Sequence, residues 1–151
     1  MRVASLGLAA LCLFASHVQA QPSPTQSPDL EQAVTAYREG RFDDALSQAE
    51  NLANRGNGRA ATLVGFILER GLTGQAAPAR ALGFYRRGVR AGDTDAMLAL
   101  ARLAMTKQGD ATPAEAMTVL QRALALGRQE AASPLGDLFL SGAAGPRDSS
   151  R

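Results

Sequence analysis

The feature that most constrains this fold is a sequence block that returns at a nearly constant interval. Three sets of residues recur 36 and then 35 positions apart: Ala45, Ala81 and Ala116; Gly56, Gly92 and Gly127; and Val64, Leu100 and Leu135. A period of this length is typical of stacked helical hairpins, because one hairpin cannot bury its apolar face alone. The interval therefore predicts an all-α fold, an α-solenoid of antiparallel helical hairpins.

The spacing of apolar residues predicts where the helices of this solenoid lie. Leu30, Ala33, Val34 and Tyr37 follow the i, i+3, i+4, i+7 pattern of one helix face, and similar stripes occur in the later segments. Glycines follow these stripes, as expected where helices end. The first six helices are predicted to begin near residues 29, 42, 58, 78, 94 and 113. They form three hairpins, and a final single helix follows.

Capping residues sharpen the helix starts. Asn57 and Asp93 are predicted N-caps, and Thr112 with Glu115 forms a capping box around a proline at the first helical position. The seventh helix is predicted between residues 129 and 140.

Pro134 would break a hydrogen bond inside that seventh helix, so we expect Ser133 to be its N-cap and Pro134 its first residue. Its apolar residues are then expected to pack onto the third hairpin: Leu135, Leu138 and Phe139.

The N-terminal residues have the features of a signal peptide. Arg2 precedes an apolar stretch, and small residues lead up to Ala20, after which we expect cleavage. An uncleaved N-terminal anchor is the alternative. Lipid modification of Cys12 is rejected because Leu11 is too large for the preceding position. We therefore predict four parts in a periplasmic or secreted protein: a signal peptide at 1–20, a Pro/Ser-rich leader at 21–28, a repeat domain at 29–141 and a disordered tail at 142–151.

Composition argues against several functional classes. Removal of residues 1–20 would remove Cys12 and His17, the only cysteine and the only histidine, so zinc sites and thiol or Ser-His-Asp catalysis are not expected. The near-neutral charge does not favour nucleic-acid binding. Carboxylate pairs lie at predicted helix starts, where capping explains them better than acid–base catalysis. We expect neither enzymatic activity nor a cofactor, and no membrane span in the mature form.

Three segments resemble the Sel1-like branch of the tetratricopeptide-type helical repeats. They are 61–71 (ATLVGFILERG), 81–93 (ALGFYRRGVRAGD) and 131–142 (AASPLGDLFLSG). The likeness extends over about residues 29–142, although Val119 and Leu120 replace the usual aromatic pair in the third hairpin. The resemblance implies a non-catalytic interaction scaffold that presents a concave, helix-lined surface to a protein or peptide.

Small residues at matched places suggest where neighbouring helices cross closely. Glycine inside a helix costs about 0.5–1 kcal/mol relative to alanine, so Gly65 is expected only where a larger side chain would collide. Ala101 and Gly136 occupy the equivalent place in the next two units. The proposed structural repeat positions are Gly65, Ala81, Gly92, Ala101, Ala116, Gly127 and Gly136.

Two groups of residues are candidates for partner binding. The first helices of the hairpins are expected to offer Arg59, Phe66, Arg102 and Gln129. Phe66 lies off the apolar stripe of its helix and could project into the groove. The second group, Arg86, Arg87 and Arg90, forms either a solvated outer face or a docking surface for an acidic partner or an anionic envelope polymer.

These observations predict an exported scaffold for protein–protein interaction in the bacterial cell envelope, expected to be a monomer. The alternative is a structural or regulatory subunit, or an accessory factor, of a peptidoglycan or export complex. In that case the final helix would be completed by a partner helix or by self-association, and light scattering would separate the two.

Overall fold

Residues 28–142, the part described by this computed structural model, fold into seven α-helices without a strand. A short 3-10 helix, Gln129–Ala131, precedes the last one. The α-helices are α1 Pro28–Arg38, α2 Phe42–Asn54, α3 Gly58–Arg70, α4 Pro78–Arg90, α5 Thr94–Met105, α6 Pro113–Ala125 and α7 Ala132–Leu140. The predicted signal peptide, nearly all of the leader, and residues 143–151 of the tail lie outside the described residues.

The helices stack in chain order as an α-solenoid, which confirms the predicted fold class. α1 packs on α2, α3 on α4 and α5 on α6, and each hairpin also packs on the next. α7 lies against α6 and α5 at the end of the stack. The main apolar core runs through it, from Leu30 on α1 to Leu138 on α7, and a smaller cluster is formed by Ala36, Ala45 and Ile67.

The predicted N-caps form as expected. The Asn57 side chain accepts a hydrogen bond from the Ala60 amide at 3.0 Å. Asp93 accepts from the Asp95 amide at 3.2 Å, and Thr112 accepts from the Glu115 amide at 3.1 Å. These bonds satisfy amides that have no partner inside the first turn, which is why the three starts were readable from sequence.

The recurring small residues lie where the hairpins turn or pack. Ala45, Ala81 and Ala116 are all fully buried. Gly92 and Gly127 have φ angles of 85° and 87°, a left-handed conformation that suits glycine just after a helix. The recurring alanines therefore lie in the buried core, and the recurring glycines lie in the turns after the helices.

Gly65 confirms the predicted close approach of two helices. A Cβ at Gly65 would lie 2.6 Å from Cε1 of Tyr85, whose fully buried ring packs directly on the α3 backbone. Ala101, at the same place in α5, is also buried. For Gly136 the prediction is wrong: a Cβ there would meet no atom within 4 Å. The physical reason is that no described helix follows α7 to pack on this glycine.

The start of α7 also differs from the prediction. The helix begins at Ala132, directly after the 3-10 turn, and Ser133 is not its N-cap. Pro134 is the third residue, where its missing N–H would have had no partner within the helix. Leu138 is buried and Leu135 is partly buried against the core, as expected, but Phe139 is 47% exposed and is not part of the core.

Candidate functional site

A groove crosses the first helices of the three hairpins. We call it the first-helix groove. It has a volume of about 220 Å³ and is lined by Leu30, Val34, Arg59, Thr62, Leu63, Phe66, Asp93 and Asp95. These residues come from α1, α3 and the start of α5. The four residues from α3 are spaced i, i+3, i+4 and i+7, so they share one face of the helix. The groove brings Arg59 and Phe66 together, two of the predicted contact residues.

Phe66 is held in the groove by other rings and by a cation. Its ring lies edge-on to Tyr37, with 5.9 Å between centroids, and Tyr37 in turn lies 5.7 Å from Phe42. The Arg70 guanidinium lies 4.5 Å from the centre of the Phe66 ring. Phe66 is only half-buried, so this arrangement presents a positioned aromatic surface to the groove.

The acidic side of the groove is fixed by hydrogen bonds between hairpins. The Thr62 hydroxyl on α3 donates to Asp93, which also caps α5. Asp95 accepts from Arg128, which lies just before the 3-10 helix. Sequence analysis did not select Thr62, Asp93 or Asp95 as groove residues. The signal for Thr62 was its place between Arg59 and Phe66 on one helix face, whereas the contribution of α5 depends on how the hairpins stack.

Arg102 is part of a polar network that joins three helices. Its guanidinium forms a two-pronged ion pair with Glu69 on α3, at 2.6 Å for each contact. The Tyr85 hydroxyl on α4 donates to the same carboxylate at 2.7 Å.

Burial and hydrogen bonding determine the protonation states of Glu69 and Tyr85 in this network. Burial acts to raise the pKa of Glu69, but the hydrogen bonds from Arg102 and Tyr85 outweigh it, and the net pKa is lowered. The pKa of Tyr85 is raised, first by burial and then by its bond to Glu69. Tyr85 therefore remains a neutral donor and Glu69 a charged acceptor.

The arginines of α4 point to different partners. Arg86 pairs with Glu115 on α6 through two contacts of 2.8 and 2.9 Å, and with Asp110 at 3.0 Å. The hydrogen bond from Arg86 lowers the pKa of Glu115, and burial acts in the opposite direction. A hydrogen bond from the Thr112 backbone also lowers this pKa. Arg86 therefore ties α4 to α6. Its partners were not visible in sequence because they lie in the next hairpin.

Arg87 and Arg90 line a second, larger cavity of about 390 Å³, which we call the α4 basic cavity. Its other lining residues belong to α2, α3 and the adjoining turns: Ala53, Asn54, Gly56, Asn57, Ala61 and Ala91. Arg87 donates to Asn54 at 3.2 Å, and its guanidinium lies 5.3 Å from the Phe84 ring. Gln129 is exposed in the 3-10 helix and lines neither cavity.

The same backward contact occurs in two successive repeats. Arg87 reaches Asn54 near the end of α2, and Arg122 donates to the Val89 carbonyl near the end of α4, at 3.2 Å. Each contact spans 33 residues. Arg87 and Arg122 are 35 residues apart and so occupy one repeat position. Sequence analysis did not identify this contact, although the interval between the two arginines was a signal for it. These arginines help to set the register between neighbouring hairpins.

Between residues 28 and 142 there is no group of three or more histidine, cysteine, aspartate or glutamate side chains arranged to hold a metal ion. In the same range, no helix combines the length and the apolar character needed to cross a bilayer.

The helices and their packing define an α-solenoid of stacked hairpins with a groove along the first helices. The fold is that of Sel1-like repeats: the chain matches the crystal structure of a Sel1 repeat protein from Oxalobacter formigenes with a TM-score of 0.67. The two chains are 20% identical, and the match covers 81% of this chain and 52% of the other, so this chain spans about half the length of that protein. No protein-family model and no curated protein matches the chain.

Proposed function

We propose that this chain is a non-catalytic scaffold that binds a protein or peptide partner through the first-helix groove. The observation that carries the proposal is an apolar floor, formed by Leu30, Val34, Leu63 and Phe66, beside a charged rim. At about 220 Å³ the groove is smaller than the roughly 300–1,000 Å³ of typical small-molecule sites. It suits one or two side chains of a longer peptide.

The rim suggests the chemistry of that peptide. An apolar or aromatic side chain would pack on Phe66, and a neighbouring lysine or arginine would face Asp95, whose side chain is 58% exposed. Arg59 lines the other part of the rim and would favour an acidic group. We also keep Arg102 and Gln129 as proposed contacts, since the Arg102 side chain is 50% exposed. Fixed charges of both signs would set the register of the bound peptide.

A photocrosslinking residue at position 66 tests this site. We expect Phe66→p-benzoylphenylalanine to form discrete adducts with one or a few proteins in cells. The same residue at Gln121, which is exposed on α6 and does not line the groove, is the control. Equal adducts from both positions, or none from position 66, would contradict the proposal.

The α4 basic cavity is a second proposed contact, for acidic side chains of the partner. Arg87 and Arg90 lie on its rim, whereas Arg86 is already paired with Glu115. Arg90→Glu is therefore the appropriate probe, because Arg86→Glu would also disturb the contact between α4 and α6. We expect Arg90→Glu to reduce the adducts formed from position 66 while the thermal stability of the chain is unchanged. If Arg90→Glu leaves the adducts from position 66 unchanged, the proposed contact at the α4 basic cavity is contradicted.

We further propose that the scaffold is exported and acts in the bacterial cell envelope. The support is the sequence of residues 1–20, with an apolar stretch followed by a small-residue exit at Ala20. Mass spectrometry of the mature protein tests this directly. A chain that begins at Gln21 in the periplasmic fraction or the medium is expected, and a full-length chain in the cytoplasm would contradict it.

A second candidate is a subunit of a larger envelope assembly, such as a peptidoglycan or export complex. The observation that favours it is the exposed apolar surface at the end of the stack, where Phe139 is 47% and Leu140 is 74% exposed. Exposed apolar side chains that lie together commonly mark interaction sites. In this form the stack would be completed by a partner helix or by a second copy.

A further inference from the structure

The last helix repeats a packing face that is largely covered in two earlier helices. Gly65, Leu68 and Glu69 lie on one face of α3, spaced i, i+3 and i+4. The same face lies 36 residues later in α5 and a further 35 residues later in α7, where we call it the open face of α7: Gly136, Phe139 and Leu140. The three faces can therefore be compared position by position.

In α3 this face receives the second helix of its hairpin. The Tyr85 ring on α4 packs on Gly65, its hydroxyl binds Glu69, and Leu68 is buried. In α5, in the hairpin that α6 completes, the equivalent Ala101 and Ala104 are 1% and 2% exposed, whereas Met105, at the place of Leu140, is 36% exposed. Twice, then, the face lies in a hairpin closed by an antiparallel amphipathic helix.

In α7 the face has no cover among the described residues. A Cβ at Gly136 would meet no atom within 4 Å, and Phe139 and Leu140 are 47% and 74% exposed. α7 packs onto the stack through Leu138, so the open face points away from that contact.

We propose that the open face of α7 is a docking site for an amphipathic helix of a partner protein, bound as α4 binds α3 and as α6 binds α5. This inference rests on the second candidate function and names the partner's chemistry. The argument is continuity with an existing interface. A helix docked in this register would also reach α6 through side chains, as Arg87 of α4 reaches α2 and Arg122 of α6 reaches α4.

The repeat specifies which side chains the partner helix carries. Glu69, which binds the Tyr85 hydroxyl, is replaced by Leu140, so a tyrosine hydroxyl would have no acceptor on this face. The residue over Gly136 is therefore leucine or phenylalanine, as Leu120 is at the equivalent place in α6. Arg87 and Arg122 follow those positions by two residues and reach back to the preceding hairpin. An arginine two residues after the leucine would meet the Leu124 carbonyl in the same way.

A second copy of this chain fits the face less well. α7 has nine residues, which gives a helix about 14 Å long, and its open face carries two large apolar side chains. Two such faces packed together would bury far less than the roughly 1,200–2,000 Å² of a stable dimer interface. A partner helix in the register of α4 and α6 would add side-chain contacts to α6, as α4 and α6 make with each other, so its interface would not be confined to these two side chains.

The chain itself supplies a probe with the required pattern. A fluorescent peptide of residues 112–126 contains Leu120 and Arg122. Because short helices are marginal in water, a lactam bridge would join positions 114 and 118, which are both exposed in α6. We expect saturable binding to the full chain by fluorescence anisotropy. The peptide with Leu120→Glu is the matched control and is expected not to bind.

Variants of the protein assign the binding to the open face. Leu140→Glu and Gly136→Leu are each expected to weaken binding about tenfold or more, the first by charge and the second by filling the space over Gly136. Neither is expected to disturb folding, because both positions are exposed. Leu126→Glu places the same charge on a leucine outside α7 that is 55% exposed, and it is expected to bind normally.

Three results would overturn the inference. They are an absence of peptide binding, equal binding by the Leu140→Glu and Leu126→Glu proteins, and a stable dimer in light scattering that Leu140→Glu dissociates. A dimer would retain the second candidate function but show that a second copy is the occupant. None of these results bears on the first-helix groove, since photocrosslinking at position 66 tests that site separately.

Discussion

Adding one methyl group at Gly65 should cost stability, although alanine is the better helix former. The new Cβ would lie 2.6 Å from Cε1 and 2.8 Å from Cδ1 of Tyr85. The ring cannot easily move away, because Tyr85 is fully buried and its hydroxyl is bound to Glu69. Overpacking of this kind costs about 1–3 kcal/mol, against a helix-propensity gain of about 0.5–1 kcal/mol. Gly65→Ala should therefore lower the free energy of unfolding, by up to about 2.5 kcal/mol.

Gly83 provides the matched control for this change. It lies inside α4, it is exposed, and a Cβ there would meet no atom within 4 Å. Gly83→Ala should therefore raise the free energy of unfolding by about 0.5–1 kcal/mol. Urea unfolding followed by far-UV circular dichroism gives both values. The difference between the two variants isolates the collision with Tyr85, at about 1–3 kcal/mol.

A change at Tyr85 shows whether its ring causes the loss of stability expected for Gly65→Ala. The third hairpin has Ala101 and Leu120 where the second has Gly65 and Tyr85. In a Tyr85→Leu background, Gly65→Ala should therefore be less destabilising than in the parent chain. If Gly65→Ala and Gly83→Ala stabilise the parent chain equally, the packing of Tyr85 on the α3 backbone is refuted as the reason for the glycine.

Three further predictions concern the contacts that join the hairpins and begin the helices. Tyr85→Phe removes the bond to Glu69 but leaves the Arg102 pair, so the free energy of unfolding should fall by about 1 kcal/mol; no change would show that this hydroxyl is not a structural donor. The lowered pKa values of Glu69 and Glu115 mean that the stability they add is complete above pH 4.5 and is lost as pH falls through their folded pKa values. Arg86→Gln should therefore reduce the loss of stability below pH 4.5, and an acid profile identical to that of the parent chain would contradict the Arg86–Glu115 contact. Thr112→Ala should cost about 1 kcal/mol by removing the α6 cap, whereas Thr118→Ala, at an exposed site inside α6, should cost less; equal effects would argue against the cap.

Sequence predicted best those features that depend on neighbouring residues in the chain. The starts of α3, α5 and α6 were readable because their caps bond amides only two or three residues away. The close approach at Gly65 was readable because an interior helical glycine has a cost that something must offset. The stacking of the hairpins was readable from the repeat interval of 36 and 35 residues.

The features that sequence missed depend on contacts between hairpins or on the end of the stack. Glu115 lies 29 residues from Arg86, and no local pattern connects them. Asp93 was read as a cap, which it is, but its second bond to Thr62 is set by how α5 lies beside α3. Phe139 and Gly136 were assigned by analogy with earlier helices that are followed by a partner helix. Among the described residues, no helix follows α7.

The most direct test of this account is nuclear Overhauser contact between the Tyr85 ring and Gly65 in solution. The account rests on small residues that let neighbouring helices of the stack lie close together, and this pair joins α3 to α4 at such a place. We predict strong contacts from the Tyr85 ring protons to the Gly65 α-proton that lies in the Cβ direction, together with a ring-current shift of that proton. A Tyr85 ring without these contacts, in exchange with solvent, would contradict the proposed packing.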